Sequence, residues 1–156
     1  DEATFKKQAG LVENTGNILV QDNATFDNDE HSKVDNFFGG EIDVEDNGEF
    51  DNSYSEVANE GNIVLQDEAK FDNDEHGKVD NLIHGEILVK DTGLFDSSYG
   101  EVANSGKIVL QERPRSTIPK ARCTTQLATF SLVRTTSSAT LRKDNRFKFK
   151  SRAIPT

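Results

Sequence analysis

The chain has 156 residues, 33% hydrophobic and 29% charged, with 28 Asp and Glu against 18 Lys and Arg and a formal net charge of −10. An ordinary globule of this length carries more apolar residues, no apolar run is long enough for a membrane-spanning helix, and the single Cys123 excludes an intrachain disulfide. Charge divides the chain: residues 1–111 hold 7 Lys and no Arg against 26 Asp and Glu, net −19, whereas residues 112–156 hold 11 Lys and Arg against Glu112 and Asp144, net +9. The expected organisation is an acidic body over 1–111 and a basic C-terminal segment over 112–156.

The body repeats. Asn17–Gly61 aligns with Asn62–Gly106 without a gap, with 30 of 45 positions identical. Within that period Phe26, Phe50, Phe71 and Phe95 recur at 24, 21 and 24 residues, and Val34, Val57, Val79 and Val102 at 23, 22 and 23. A unit of 22 to 24 residues that cannot bury its own apolar side chains stacks on its copies.

In chain order, Asp1-Glu2-Ala3-Thr4-Phe5 opens the repeat in phase, matching Asp67–Phe71 at four of five positions. Val12 and Asn14 continue the Val and Asn rows. Each unit then gives three short stretches that alternate apolar with polar, the period of a strand. The first carries Ile18/Val20, Ile42/Val44, Ile63/Leu65, Ile87/Val89 and Ile108/Leu110; the second carries the Phe row and the third the Val row. Asp, Asn and Gly separate them, as turns require. No stretch shows helical apolar spacing, which excludes leucine-rich, ankyrin and tetratricopeptide repeats. The predicted architecture is all-β: a right-handed parallel β-helix of about five coils, three parallel sheets around one apolar column, with equivalent residues ~4.8 Å apart. Phe5, Phe26, Phe50, Phe71 and Phe95 are expected to form one buried stack. Asn14, Asn36, Asn59, Asn81 and Asn104 share one phase before the Gly16, Gly61, Gly85 and Gly106 turns and are expected to form a coil-to-coil amide ladder.

Beyond Gln111 the repeat stops. Pro114 and Pro119 suit a linker, and Ala128–Leu132 and Arg146–Lys150 alternate as one or two strands, the latter preceded by a turn at Asp144-Asn145. This basic segment is expected to act as a capping or assembly arm.

Two acidic rows are candidate metal ligands. Asp22, Asp46, Asp67 and Asp91 share one phase, and Asp27, Asp51, Asp72 and Asp96 another. Carboxylates stacked at coil spacing repel by about 1 kcal/mol per neighbour in water, so Ca²⁺, shifted pKa values, Lys from a neighbouring segment or splaying into solvent must relieve them. Solvated turn aspartates are the expectation and Ca²⁺ the alternative; no other cofactor is indicated. Asp29-Glu30-His31 and Asp74-Glu75-His76 alternate with Ser53-Tyr54-Ser55 and Ser98-Tyr99-Gly100. Because this motif is copied with the repeat, it reads as an exposed corner rather than a catalytic or metal site. No phosphate-binding loop, Cys-x-x-Cys or nucleophile elbow is present, so no enzyme is expected. The basic segment has Phe130, Phe147 and Phe149 for base stacking, but the acidic body repels a polyanion, and nucleic acid is not the expected partner.

The chain begins at Asp1 and contains no Met, which fits a processed product or fragment. An incoming Asp1 placed after Gln111 would continue the pattern. Assembly is therefore expected to be head to tail, a heterologous contact that yields filaments. Asp1, Phe5, Ile108 and Leu110 would lie at the junction, and Arg113, Arg115, Lys120 and Arg122 near the Asp rows. The Gly-x-Ile-x-Val-x-Asp-x-x-x-Phe-Asp-Asn cycle at 16–28, 40–52, 61–73 and 85–97 resembles the repeats of secreted bacterial surface β-helix proteins such as filamentous-haemagglutinin-like adhesins. That resemblance implies an extracellular rod with a cell-surface or host glycan as a further partner, and transfers no functional residue. The expected function is a secreted, self-assembling structural protein. A monomeric adhesin fragment, a Ca²⁺-binding module and a carbohydrate-active β-helix enzyme are the alternatives.

Overall fold

The computed structural model describes residues 3–111 throughout and, beyond them, the backbone of residues 115–117, 121–123, 129–133, 137–141 and 147–151. Three six-stranded parallel sheets wrap one column, about five turns of about 22 residues each. The Phe-row sheet contains β1 (Thr4–Gln8), β4 (Thr25–Asp29), β7 (Glu49–Asn52), β10 (Lys70–Asp72), β13 (Leu94–Asp96) and β16 (Arg115–Thr117). The Val-row sheet contains β2 (Leu11–Asn14), β5 (Lys33–Asn36), β8 (Glu56–Asn59), β11 (Lys78–Asn81), β14 (Glu101–Asn104) and β17 (Ala121–Cys123). The Ile-row sheet contains β3 (Asn17–Val20), β6 (Glu41–Val44), β9 (Asn62–Leu65), β12 (Glu86–Val89), β15 (Lys107–Gln111) and β18 (Thr129–Val133). A separate antiparallel pair joins β19 (Ser137–Leu141) and β20 (Phe147–Ser151).

The register is the sequence repeat made spatial. Phe26, Phe50, Phe71 and Phe95 are consecutive partners, as are Val34, Val57, Val79 and Val102. A slip of one residue would turn each buried side chain outward, so the Phe and Val rows pair like with like from Phe26 to Phe95 and from Val34 to Val102. Phe26, Phe50 and Phe71 stack nearly parallel at 4.6 and 4.7 Å between ring centres, and Phe71 meets Phe95 at 5.0 Å. Ile42, Ile63, Ile87 and their Val and Leu companions fill the rest of the column without exposure. Burial of each such side chain stabilises the fold by about 1.5–3 kcal/mol.

One expectation for the column is corrected. Phe5 contacts Phe26 at 4.9 Å, tilted by 33°, yet remains 55% exposed, because no coil in the structure covers its other face. Row identity assigns a residue to a stack; burial also requires a neighbour on each side.

The backbone of Arg115 lies opposite Leu94, on the strand that carries Asp96 of the second acidic row. The backbone of β16, β17 and β18 adds one strand to each of the three sheets. The parallel sheets thus run past residue 111, and the edge of β15 is paired with β18 of the same chain. Ile108 and Leu110 are consequently buried, with Phe130 and Leu132 as register partners, and present no open end.

The body closes its turns with internal amides. Asn14 Nδ2 donates to Asn36 Oδ1 at 2.8 Å, and the chain of amides continues through Asn59, Asn81 and Asn104 at 2.7–2.8 Å. The Nδ2 groups of Asn14, Asn36, Asn59 and Asn81 also donate to a backbone carbonyl, as Asn36 does to Asn62 O at 3.0 Å. A second ladder runs Asn28, Asn52, Asn73 and ends on Ser97 Oγ at 2.9 Å. Buried polar groups are tolerated only when paired, and here they hold the coil corners. Gly61 shows how closely the coils approach: a Cβ there would meet the Gly40 and Phe37 carbonyls of the coil below.

Candidate functional site

With the column filled by side chains, every candidate site lies on the corners, outer faces or ends of the rod. The first acidic row forms the corner between the Ile-row and Phe-row strands. Asp22, Asp46, Asp67 and Asp91 are exposed and all left-handed, with φ of 60°, 54°, 58° and 56°. Asp tolerates that conformation better than most residues, and the backbone uses it: Asn47 N–H donates to Asp22 O and Glu68 N–H to Asp46 O. Asp46, Asn47, Asp67, Glu68, Asp91 and Thr92 line a shallow open groove of about 530 Å³. Among the described residues, no three His, Cys, Asp or Glu side chains converge to hold a metal ion. The corner position and the shared turn geometry account for this row as turn aspartates.

The second row lies on the outer face of the Phe-row sheet, half-buried, and its repulsion is relieved in several ways. Lys6 Nζ reaches Asp27 at 2.9 Å and Lys70 Nζ reaches Asp72 at 2.6 Å. Ser53 Oγ donates to Asp51 and Ser98 Oγ to Asp96. Asp51, flanked by Asp27 and Asp72, carries the residual strain. Burial pushes its carboxyl above the ordinary value; the Ser53 hydroxyl works against this, and the charges of Asp27, Asp72 and Glu49 add to it. Burial alone would lower the Lys70 ammonium, but hydrogen bonds to Asp72 and Glu49 outweigh it and hold it above the usual lysine value.

Along the corner between the Phe-row and Val-row strands, His31, Tyr54, His76 and Tyr99 alternate coil by coil, all exposed. Tyr54 and His76 rings lie 6.2 Å apart at 49°. Glu75 raises the Tyr54 hydroxyl by its charge first, with desolvation and a hydrogen bond to Glu75 adding to it. Asp29 and Glu30, and Asp74 and Glu75, are bound up in their own turns, each Asp Oδ1 accepting from the next backbone N–H. The third corner carries exposed apolar side chains in alternate coils, Phe38 and Ile83, and Phe38 meets His84 edge-on at 5.9 Å. His84 has no equivalent in the preceding period and still gains a partner.

The proposed junction residues are only partly placed. Asp1, Arg113 and Lys120 lie outside the described residues. Arg115 and Arg122 lie on β16 and β17, whose backbone alone is described. Phe5 is at one end of the column, and Ile108 and Leu110 are covered at the other. There the first amide ladder stops: Asn104 Nδ2 is buried with no hydrogen-bond partner among the described residues, and the register partner of Asn104 in the next coil is Cys123.

No family model, curated protein or solved structure matches this chain. Nothing from those comparisons ties the repeat to the surface adhesins whose style it resembles. Among the described residues no helix is long and apolar enough to cross a membrane.

Proposed function

We propose that the chain is a secreted structural protein whose solenoid lengthens by head-to-tail stacking of like coils into a fibre or surface layer. The observation that carries this reading is the like-on-like register of the inward rows at the four coil interfaces between Phe5 and Phe95. A surface that accepts a copy of itself at each of four successive levels accepts a further copy at its end. The first described coil offers such a surface. β1, β2 and β3 each pair on one side only among the described residues, and the Phe5 ring is half open. Unpaired strand edges of this kind template further pairing. The extracellular setting rests on repeat style.

Sedimentation velocity over a hundredfold range of concentration, with electron microscopy of the heavier species, tests the proposal. Rods one solenoid wide that grow in length are expected, and Phe5→Lys should shift them to monomer. A chain that remains monomeric at high concentration and low salt overturns it. The exposed Tyr54 and Tyr99 corner favours a second reading, a monomeric adhesin module that stacks its rings on a glycan; glycan-array binding lost in a Tyr54→Ala, Tyr99→Ala chain would support that instead.

A further inference from the structure

The coil that follows Gln111 continues the sheets but not the rows. Phe95 has Ser116 as its partner, Val102 has Ala121 and Asn104 has Cys123. Corner lengths change as well. In the five preceding coils the Phe and Val rows are 7 or 8 residues apart, and the Val and Ile rows 6 or 8; here Ser116 and Ala121 are 5 apart, and Ala121 and Phe130 are 9. The mismatch leaves a mark inside the column. Asn104 Nδ2 is the buried side-chain donor without a partner among the described residues. Such a group costs free energy that a matched neighbour would recover. At the opposite end, among the described residues, Asn14 Oδ1 accepts from the Gly16 N–H at 3.2 Å and from no ladder amide. Phe5, Val12, Asn14 and Ile18 are the residues that the rows require against Phe95, Val102, Asn104 and Ile108.

We infer that the coil carrying β16, β17 and β18 is a displaceable cap, covering this end of the column in a lone chain and yielding it to the first coil of a second copy. The exchange replaces one set of parallel ladders by another, so backbone hydrogen bonds cancel between the two states. What differs is row identity at the register positions: Phe rather than Ser opposite Phe95, Val rather than Ala opposite Val102, and Asn rather than Cys opposite Asn104. The inference rests on the axial-stacking reading above and adds a switch to it: growth requires that the chain's own cap open first.

Cys123 is the sole thiol, so its reaction with Ellman's reagent reads the opening of β17 separately from assembly. At a concentration where the chain is monomeric, Ser116→Phe with Ala121→Val, which restores two rows and keeps the thiol, should slow that reaction at least tenfold. By sedimentation the same chain should need at least tenfold more protein to assemble. Cys123→Asn, which supplies the missing acceptor, is the second variant. Tryptic cleavage after Arg122 replaces the thiol as its readout and should slow, and it decides the matter if the double variant does not fold. Equal opening rates in wild-type and repaired chains overturn the cap, as does a repaired chain that assembles as readily as wild type. A cap that opens more slowly on repair, in a chain that never assembles, upholds the cap and overturns the stacking function.

Discussion

Asn59 is the centre of the longer amide ladder, and its removal is a quantitative test of what holds the corners. Its Nδ2 donates to Asn81 Oδ1 at 2.8 Å and Glu86 O at 3.3 Å, and its Oδ1 accepts from Asn36 Nδ2 at 2.7 Å. Asn59→Ala deletes all three bonds in a fully buried position. Asn36 Nδ2 keeps its bond to Asn62 O, but Asn81 Oδ1 loses its ladder donor. At about 1 kcal/mol net per bond plus about 1–3 kcal/mol for the orphaned acceptor, allowing for overlap, the expected loss is about 3–5 kcal/mol. Asn14→Ala also removes ladder bonds, to Asn36 Oδ1 and Glu41 O. It does so in the first described coil, which has a described neighbour on one side only, and about 1–2 kcal/mol is expected there. Urea denaturation of both variants at one pH, compared at unchanged slope, measures the two losses. Asn59→Asp sharpens the test, since a carboxylate can make the ladder donation only when protonated; its folded pKa is then raised, and stability should fall as pH rises through that value. Equal losses at positions 14 and 59, or an Asn59→Ala loss under about 1 kcal/mol, would refute the ladder as a stabilising element.

Phe50→Ala, which empties a fully buried site between the Phe26 and Phe71 rings, should cost about 3–5 kcal/mol in the same assay, whereas Phe5→Ala at the half-open end should cost far less; similar losses would contradict the placement of Phe5. Asp51→Asn should stabilise the protein near neutral pH. Because the folded pKa of Asp51 is raised, its full stability is present below the unfolded value of about 3.9 and is lost as pH rises through the folded value. The melting-temperature gain of the variant should therefore vanish in acid, and a gain that persists there would show that charge is not its cause.

The rows were legible because a residue type recurring at one phase requires one position in each coil. Phe26 to Phe95 and Asn14 to Asn104 therefore gave sheets, register and the first ladder together. The second ladder was visible only as an Asn-or-Ser position after the Phe-Asp pair, because Ser97 breaks the identity and the neighbouring Asp row drew the chemical reading. Phe5 was assigned to the correct stack with the wrong exposure, since a pattern records periodicity and not the loss of a neighbour. Beyond Gln111 the alternation at Ala128–Leu132 and Arg146–Lys150 marked the strands found at β18 and β20, but β16 and β17 were missed, because Ser116, Ala121 and Cys123 carry none of the row identity from which coils can be read. Among the candidate sites, the Asp rows were found by phase, but their separation into a turn row and a Lys- and Ser-paired row depends on φ angles and long side chains.

The alternation between wide and narrow corners has a genetic consequence. Two of the three corners lengthen in every second coil, at Glu30-His31 and Phe37–Gly39 and again at Glu75-His76 and Leu82–His84, while the Ile-to-Phe spacing stays at 8 residues. Duplicating a single wide coil would set two wide corners directly above one another, crowding Phe38-type side chains against their own copies, and duplicating a narrow one would break the alternation. Duplicating 45 residues inserts one wide and one narrow coil, lengthens the rod by ~10 Å and leaves every row unbroken. Tandem duplication by in-frame recombination would thus be tolerated in steps of two coils, and rod lengths among descendants of such a gene would be quantised accordingly.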